Sequence, residues 1–304
     1  MDKSDQIHTP HRRRGPLACW IEAMRLRTLP VSVAGVVMAG ALGLGSFAFE
    51  PVPWLICLLF AILCQIASNF ANEYFDYRDG LDKPGRVGPR RGVTEGDISP
   101  RAMLAAAIGT LAVAAALGCL LIFWGGWWLI LAGIAIVAGA LAYSTGPYPL
   151  SRHGWGEAAV IIFFGIAPVT LTFYCMSGGI TQEVWLASLT MGLLGANVLV
   201  VNNYRDIDED RNVEKLTLEV RFGPRMSRRL YLFNGLLAIT LMLPTWARIG
   251  REWLLAPLIF LILHFALWRL LCRRTGKGLN PLLGATSMLM LLYALVFLLA
   301  VITC

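Results

Sequence analysis

PWLICLLFAILCQIASNFANEYFDYRDGLD (residues 53–82) carries no charge over its first twenty positions, then places Glu73, Asp76, Asp79 and Asp82 within the last ten. As a helix, the first part is long enough to cross the ~30 Å hydrocarbon core of a bilayer. Carboxylates at the end of such a helix are costly to hold there and mark function more often than decoration. The whole chain fits this reading. Of its 304 residues 57% are hydrophobic and only 15% charged, against about one-quarter charged in a soluble domain.

Nine stretches have the length and apolarity of a membrane helix: 30–49, 53–72, 102–123, 127–144, 157–175, 185–202, 230–247, 253–270 and 282–303. No strand alternation of the barrel kind is present, and lipid leaves open sheet edges unsatisfied. The predicted fold is therefore all-α: a polytopic transmembrane bundle of nine membrane helices around a central cavity. The positive charges give an independent check. Of 26 Lys and Arg residues, 24 fall in 1–29, 73–101, 145–156, 203–229 and 269–281, which are alternate connections in this scheme. By the positive-inside bias that face is cytoplasmic, which puts the N-terminus inside and the protein in the cytoplasmic (inner) membrane. Anionic lipid on that leaflet accounts for the net charge of +7 without a nucleic-acid partner. Residues 1–19, basic and without an apolar core of their own, are expected to be a disordered cytoplasmic tail rather than a signal peptide, and 20–304 a single integral-membrane domain. The seven cysteines are scattered singly, without ligand spacing, and read as small core hydrophobes.

Two cytoplasmic connections, 73–101 and 203–229, are rich in both signs of charge and echo each other. Asn72-x3-Asp76 is followed by RVGPR at 86–90, and Asn202-x3-Asp206 by RFGPR at 221–225. Such repetition suggests two halves of a bundle converging on one site. Helical spacing puts Asn69, Asn72 and Asp76 on one face, and Asn202, Asp206 and Asp210 on another. Carboxylates crowded in this way repel unless a cation lies between them, and oxygen-only ligands favour a hard ion such as Mg2+. With arginines and lysines close by, the set suits a magnesium diphosphate: carboxylates for the metal, cations for phosphate oxygens. Solvated ion pairs at the membrane surface are the simpler alternative.

These motifs resemble the UbiA superfamily of membrane-embedded polyprenyl transferases. RLRTLP at 25–30 is similar to the family's entry into its first helix, and QIASNFANEYFDYRDGLDKPGRVGPRRGV at 65–93 to its first motif. YSTGPYPLSRHGWGE at 143–157 is similar to its mid-chain segment, and NNYRDIDEDRNVEKLTLEVRFG at 202–223 to its second motif. The chain departs from the usual pattern at Glu73, Gly85 and Leu216. The resemblance implies Mg2+-dependent transfer of a polyprenyl group from polyprenyl diphosphate to an aromatic acceptor in the lipid bilayer. Its details point to 1,4-dihydroxy-2-naphthoate, with loss of diphosphate and carbon dioxide to give demethylmenaquinone. On this basis Asn72, Asp76, Asp206 and Asp210 are the candidate catalytic set, with Asp82, Glu73 and Asn202 as further metal ligands and Asp79 as a weaker one. Lys83, Arg86, Arg91, Lys215 and Arg221 are candidates for the diphosphate or the acceptor carboxylate. Tyr143 and Tyr148 could face an allylic cation, or act as interfacial anchors. His264, alone in an apolar helix, reads as structural. The alternatives are another aromatic acceptor (4-hydroxybenzoate, homogentisate or a specialised metabolite) and an ion-coupled transporter. A CDP-alcohol phosphotransferase motif fails at Lys83-Pro84, where that motif needs Ala-Arg.

Overall fold

Lipid offers no hydrogen-bond partners, so each span must satisfy its own backbone. The computed structural model describes residues 15–82 and 87–304, and all regular structure among them is helical. In chain order the helices are α1 (Pro16–Ala23), α2 (Leu29–Gly45), α3 (Pro51–Arg78), α4 (Pro100–Leu120), α5 (Ile122–Gly125), α6 (Trp128–Ser144) and α7 (Gly156–Val160). They continue as α8 (Ala167–Ser177), α9 (Gln182–Arg205), α10 (Ile207–Asn212), α11 (Leu218–Ile249), α12 (Leu255–Arg273) and α13 (Asn280–Thr303). Local chemistry sets the ends. Proline occupies the first turn of α2, α3, α4 and α13, where its missing N–H costs nothing. Ser99 caps α4 by accepting the Ala102 N–H, and Thr217 caps α11 by accepting that of Val220.

Eight helical stretches among the described residues are long and apolar enough to cross a membrane. The ninth expected span, 127–144, is the 17-residue α6. At 1.5 Å per residue it reaches about 26 Å, short of a full hydrocarbon core. Two other expectations are corrected. Residues 16–19 of the predicted tail belong to α1, with Cys19 buried; residues 1–14 lie outside the described part. The second polar connection, 203–229, is largely helical, because α9, α10 and α11 leave only Asp206 and 213–217 between them.

Helix α9 is the axis of the bundle: 78% of its apolar window is buried, against 17% for the α4–α5 stretch, whose surface is left to lipid. Helix α2 packs against α13, α8 and α9, while α3 packs against α4. Between α7 and α8 the chain makes a π-helical turn, Ile161–Ile166. There Gly165 meets Gly192 of α9 so closely that a Cβ on Gly165 would lie 2.3 Å from the Gly192 Cα. Small residues at such crossings let helix backbones touch, which is the main source of packing energy in lipid. His264 is structural, as expected: buried, stacked on Tyr231 at 4.9 Å, and fitted over Gly235, which has no side chain to displace it.

Gly165→Val is expected to destabilise the protein by roughly 1–3 kcal/mol through overpacking, whereas Gly133→Ala, with open space around the added methyl, is expected to be neutral. Thermal unfolding in detergent checks both; equal midpoints would show that the crossing is not tight.

Candidate active site

The first motif sits inside a helix, not in a loop. Helix α3 runs six residues past its charge-free part, to Arg78, so Asn69, Asn72 and Asp76 share a face pointing into the bundle. The second motif crosses a helix junction at Asp206. The Asp206 N–H still donates to Asn202 C=O (3.2 Å) and Asp210 N–H to Asp206 C=O (2.8 Å), which preserves the i, i+4 stacking. Both motifs line one cavity of about 1240 Å³. At its other end the wall is apolar, with Phe60, Leu129, Ile134, Val137, Phe163 and Leu171.

Asp76, Asp82, Asp206 and Asp210 at the charged end are each matched by a cation. Arg91, almost fully buried, sends Nη2 to Asn72 Oδ1 (3.1 Å) and Asp76 Oδ2 (3.4 Å), and Nε toward Asp82 Oδ2 (3.0 Å). Arg205 grips Asp206 with two bonds, Nε to Oδ1 (2.6 Å) and Nη2 to Oδ2 (2.7 Å), and reaches Asn202 and Asn280 as well. Lys215 Nζ lies 3.1 and 3.3 Å from the two oxygens of Asp210. Burial alone would lower the pKa of Lys215, but the charges of Asp210 and then Asp76 outweigh it and hold the ammonium above its ordinary value, so it is a cation at neutral pH.

The two halves also meet directly. Val87 N–H donates to Glu209 Oε1 (2.8 Å), and Asn280 donates to Val87 C=O (3.3 Å). A third contribution comes from Arg25, held in the left-handed region (φ 52, ψ 55) and donating to Asn72 Oδ1 at 3.1 Å. For a non-glycine residue that backbone is strained. A ladder of polar groups fixes it, in which Ser32 donates to Gln65, Gln65 to Asn69, and Asn69 to the Met24 carbonyl just before Arg25.

Asn72, Asp76, Asp82, Arg91, Tyr143, Asn202, Asp206, Asp210 and Lys215 thus share the cavity wall. Four other candidates do not line it. Glu73 is buried behind the wall, where one oxygen accepts the Val93 N–H (3.1 Å) and secures the 91–93 loop. Asp79 caps the end of α3 in ion pairs with Arg78 and Arg152. Arg221 donates to the Leu216 carbonyl (3.1 Å) on the outer surface. Tyr148 is 52% exposed and stacks on His153 at 3.8 Å. Lys83 and Arg86 lie outside the described residues. Sequence reasoning missed Arg25, Arg205, Glu209, Asn203 and Asn280. For Arg205 a signal was present: a charge at the very end of an apolar helix, directly beside Asp206.

Among the described residues, no three His, Cys, Asp or Glu side chains come together to enclose a metal ion by themselves. The donors available are oxygens presented in ones and twos. That chemistry fits Mg2+, which is usually held by one or two carboxylates together with substrate phosphates rather than by an all-protein cage.

Fold and site together define an integral-membrane protein built around a cavity with a charged end and an apolar one, suited to an amphipathic anionic substrate. The chain belongs to the UbiA prenyltransferase family, whose model matches residues 29–282; it is a prenyltransferase, an enzyme of alkyl or aryl group transfer. A Mycobacterium tuberculosis (strain ATCC 25618 / H37Rv) protein named 1,4-dihydroxy-2-naphthoate octaprenyltransferase is 36% identical over 281 residues, covering 91% of this chain and 94% of its own length. An Escherichia coli (strain K12) protein of the same name is 38% identical over 221 residues, covering 70% and 71%. Among solved structures, the apo structure of a UbiA homolog from Aeropyrum pernix K1 matches with a TM-score of 0.69 at 17% identity, covering 90% of this chain and 97% of that one. A UbiA homolog from Archaeoglobus fulgidus bound to DMAPP and Mg2+ matches with a TM-score of 0.64 at 16% identity, covering 92% and 99%.

The Asp79 carboxyl is held below its ordinary value of 3.8, first by the hydrogen bond from Arg78 and then by Arg152. Its tie to Arg152 therefore contributes above pH 3.8 and is lost only as pH falls through the lowered value. The protection of the 150–153 amides, taken relative to intrinsic exchange at each pH, is expected to stay unchanged from pH 7 to 4; a loss of protection already at pH 5 would contradict this. Arg91→Gln is expected to raise exchange across 87–98 by about tenfold or more, since it leaves Asp76 and Asp82 without their shared cation.

Proposed function

We propose that this protein transfers a polyprenyl group from polyprenyl diphosphate to 1,4-dihydroxy-2-naphthoate in a Mg2+-dependent reaction that releases diphosphate and carbon dioxide and yields demethylmenaquinone. The observation that carries this reading is the continuity of one cavity from the carboxylate and cation cluster to an apolar wall. A diphosphate with a long hydrocarbon tail needs both ends. The names of the relatives at 36% and 38% identity support the naphthoate acceptor, and the Mg2+ and DMAPP in the Archaeoglobus homolog's structure support the metal and the donor class.

In this reading Asp76, Asp82, Asp206 and Asp210, with Asn72 and Asn202, hold the metal and the diphosphate it accompanies. Bound Mg2+ neutralises charge that grows on the leaving diphosphate. Arg91, Lys215 and Arg25 stand at the same end as donors to phosphate oxygens. Arg205, also on the cavity wall, orients Asp206 and Asn202. Glu73 positions the Arg91 loop through Val93 rather than meeting the metal. Tyr143, on the cavity wall, faces the reacting region, where the apolar lining keeps water from a carbocation. Residues 20–304, with 16–19 joined to them through α1, act as one membrane domain, and the concentration of Lys and Arg in alternate connections supports a charged end at the cytoplasmic face of the inner membrane.

Purified protein, Mg2+, a polyprenyl diphosphate and 1,4-dihydroxy-2-naphthoate should give a prenylated quinol, diphosphate and carbon dioxide, detected by chromatography and by release of label from the carboxyl carbon. Absence of product with this acceptor while another aromatic acid is prenylated would reassign the acceptor. Chelation of the metal should abolish turnover. Asp76→Ala and Asp206→Ala should each lower kcat by about 100-fold or more in protein that still inserts and elutes as wild type; near-normal turnover in either would remove that residue from the site.

A further inference from the structure

Two further acids, Glu157 and Glu219, act on each other and are not used by the ion-pair network at the mouth; of the two, Glu157 lines the cavity. Glu157, in the first turn of α7, lines the cavity and is only 6% exposed. Its Oε1 accepts a hydrogen bond from Asn203 Nδ2 at 3.1 Å, while its Oε2 has no partner among the described residues. Glu219, in the first turn of α11, is 1% exposed, and neither of its oxygens has a hydrogen-bond partner by geometry among the described residues. The charged and titratable groups that act on this pair are Lys215, Tyr143 and Asp210. Lys215 is already bonded to Asp210.

A buried carboxylate oxygen with no donor is costly, and such groups are normally satisfied by something. Glu157 faces the cavity, so its missing donor is to be supplied by a ligand. A polyprenyl diphosphate cannot supply it, since its ionised phosphates only accept hydrogen bonds and its tail does neither. A phenolic hydroxyl can. We propose that Glu157 binds the hydroxyl of the aromatic acceptor next to the acceptor's carboxylate, and carries that hydroxyl's proton during transfer. This deepens the proposed prenyl transfer and rests on it.

The step balances. As the C–O bond of the donor breaks, its electron pair leaves on the diphosphate oxygen. The ring carbon bearing the carboxylate contributes a π pair to the new C–C bond, the adjacent hydroxyl becomes a carbonyl, and its proton passes to Glu157. The resulting β-keto carboxylate loses carbon dioxide, and the pair from that bond restores the ring. Glu157 then returns the proton to the same oxygen and ends as it began, with no oxidant or reductant consumed.

The test compares wild type, Glu157→Gln and Glu157→Asp with 1,4-dihydroxy-2-naphthoate and with its methyl ether at the hydroxyl beside the carboxylate. In Glu157→Gln the KM for the acceptor is expected to rise about tenfold and kcat to fall about 100-fold or more, the size of a lost acid–base group. The KM for polyprenyl diphosphate and its directly measured binding should not change. Wild type should strongly prefer the free hydroxyl, a preference Glu157→Gln should lose and Glu157→Asp should partly regain. Two results overturn the assignment: wild-type kinetics in Glu157→Gln, or a matching loss of polyprenyl diphosphate binding, which would make Glu157 structural. Wild-type protein that binds the diphosphate but prenylates no acceptor would instead remove the underlying reaction, and this inference with it.

Discussion

The structure depends on charge compensation at the C-terminal ends of α3 and α9. Carboxylates that close together in a medium of low dielectric repel strongly, and the fold answers with three cations, each from a different place in the chain. Arg91 comes back from the connection after α3, Arg205 stands beside its partner on α9, and Lys215 follows α10. Removing one partner of such a buried pair costs about 3–5 kcal/mol, because the other charge is left behind without compensation. These pairs therefore constrain how the helices meet as much as they shape the site. They also present the carboxylates and their cations together, the mixed surface that a metal-bound diphosphate requires.

The rest of the polar architecture serves to hold this cluster in register. Glu73 and Val93 set the loop that carries Arg91, the link from Ser32 to Met24 sets Arg25, and Glu209 with Asn280 ties the two motif-bearing segments at Val87. In lipid a backbone or side-chain polar group without a partner is costly, so nearly every polar residue near the site has a specific bond. Against that background the open oxygen of Glu157 stands out as a place for a ligand rather than a defect of packing. The tight Gly165 and Gly192 crossing carries the π-helical turn that follows α7, the short helix bearing Glu157, which links the packing of α9 to the position of this acid.

Much of this was legible before folding. Length and absence of charge identified the spans, because a hydrocarbon core imposes both. The single disagreement in span number came at 127–144, where composition is apolar enough but the helix is too short. The paired Asn-x3-Asp segments marked the two walls of the site, because helical periodicity alone puts such residues on one face. Less legible were residues whose role depends on a distant partner. Glu73 and Asp76 are three positions apart and chemically alike, yet one is spent on a loop backbone and the other faces the cavity. RVGPR and RFGPR look alike, yet the second lies in the start of α11 with Arg221 turned to a local carbonyl.

The amino-acid sequence by itself determined that this chain is an all-helical membrane protein with two acidic, amide-bearing helix ends, since hydrophobic length and the period of 3.6 are properties of a segment alone. Only the tertiary structure decided which carboxylate meets which cation, and that Arg25 and Asn280 belong to the site although 255 positions separate them. It also decided that Glu157 has an oxygen to spare. The physical reason is that these outcomes rest on distances of about 3 Å between side chains on different helices, and such distances are set by how the helices pack, which no single segment encodes.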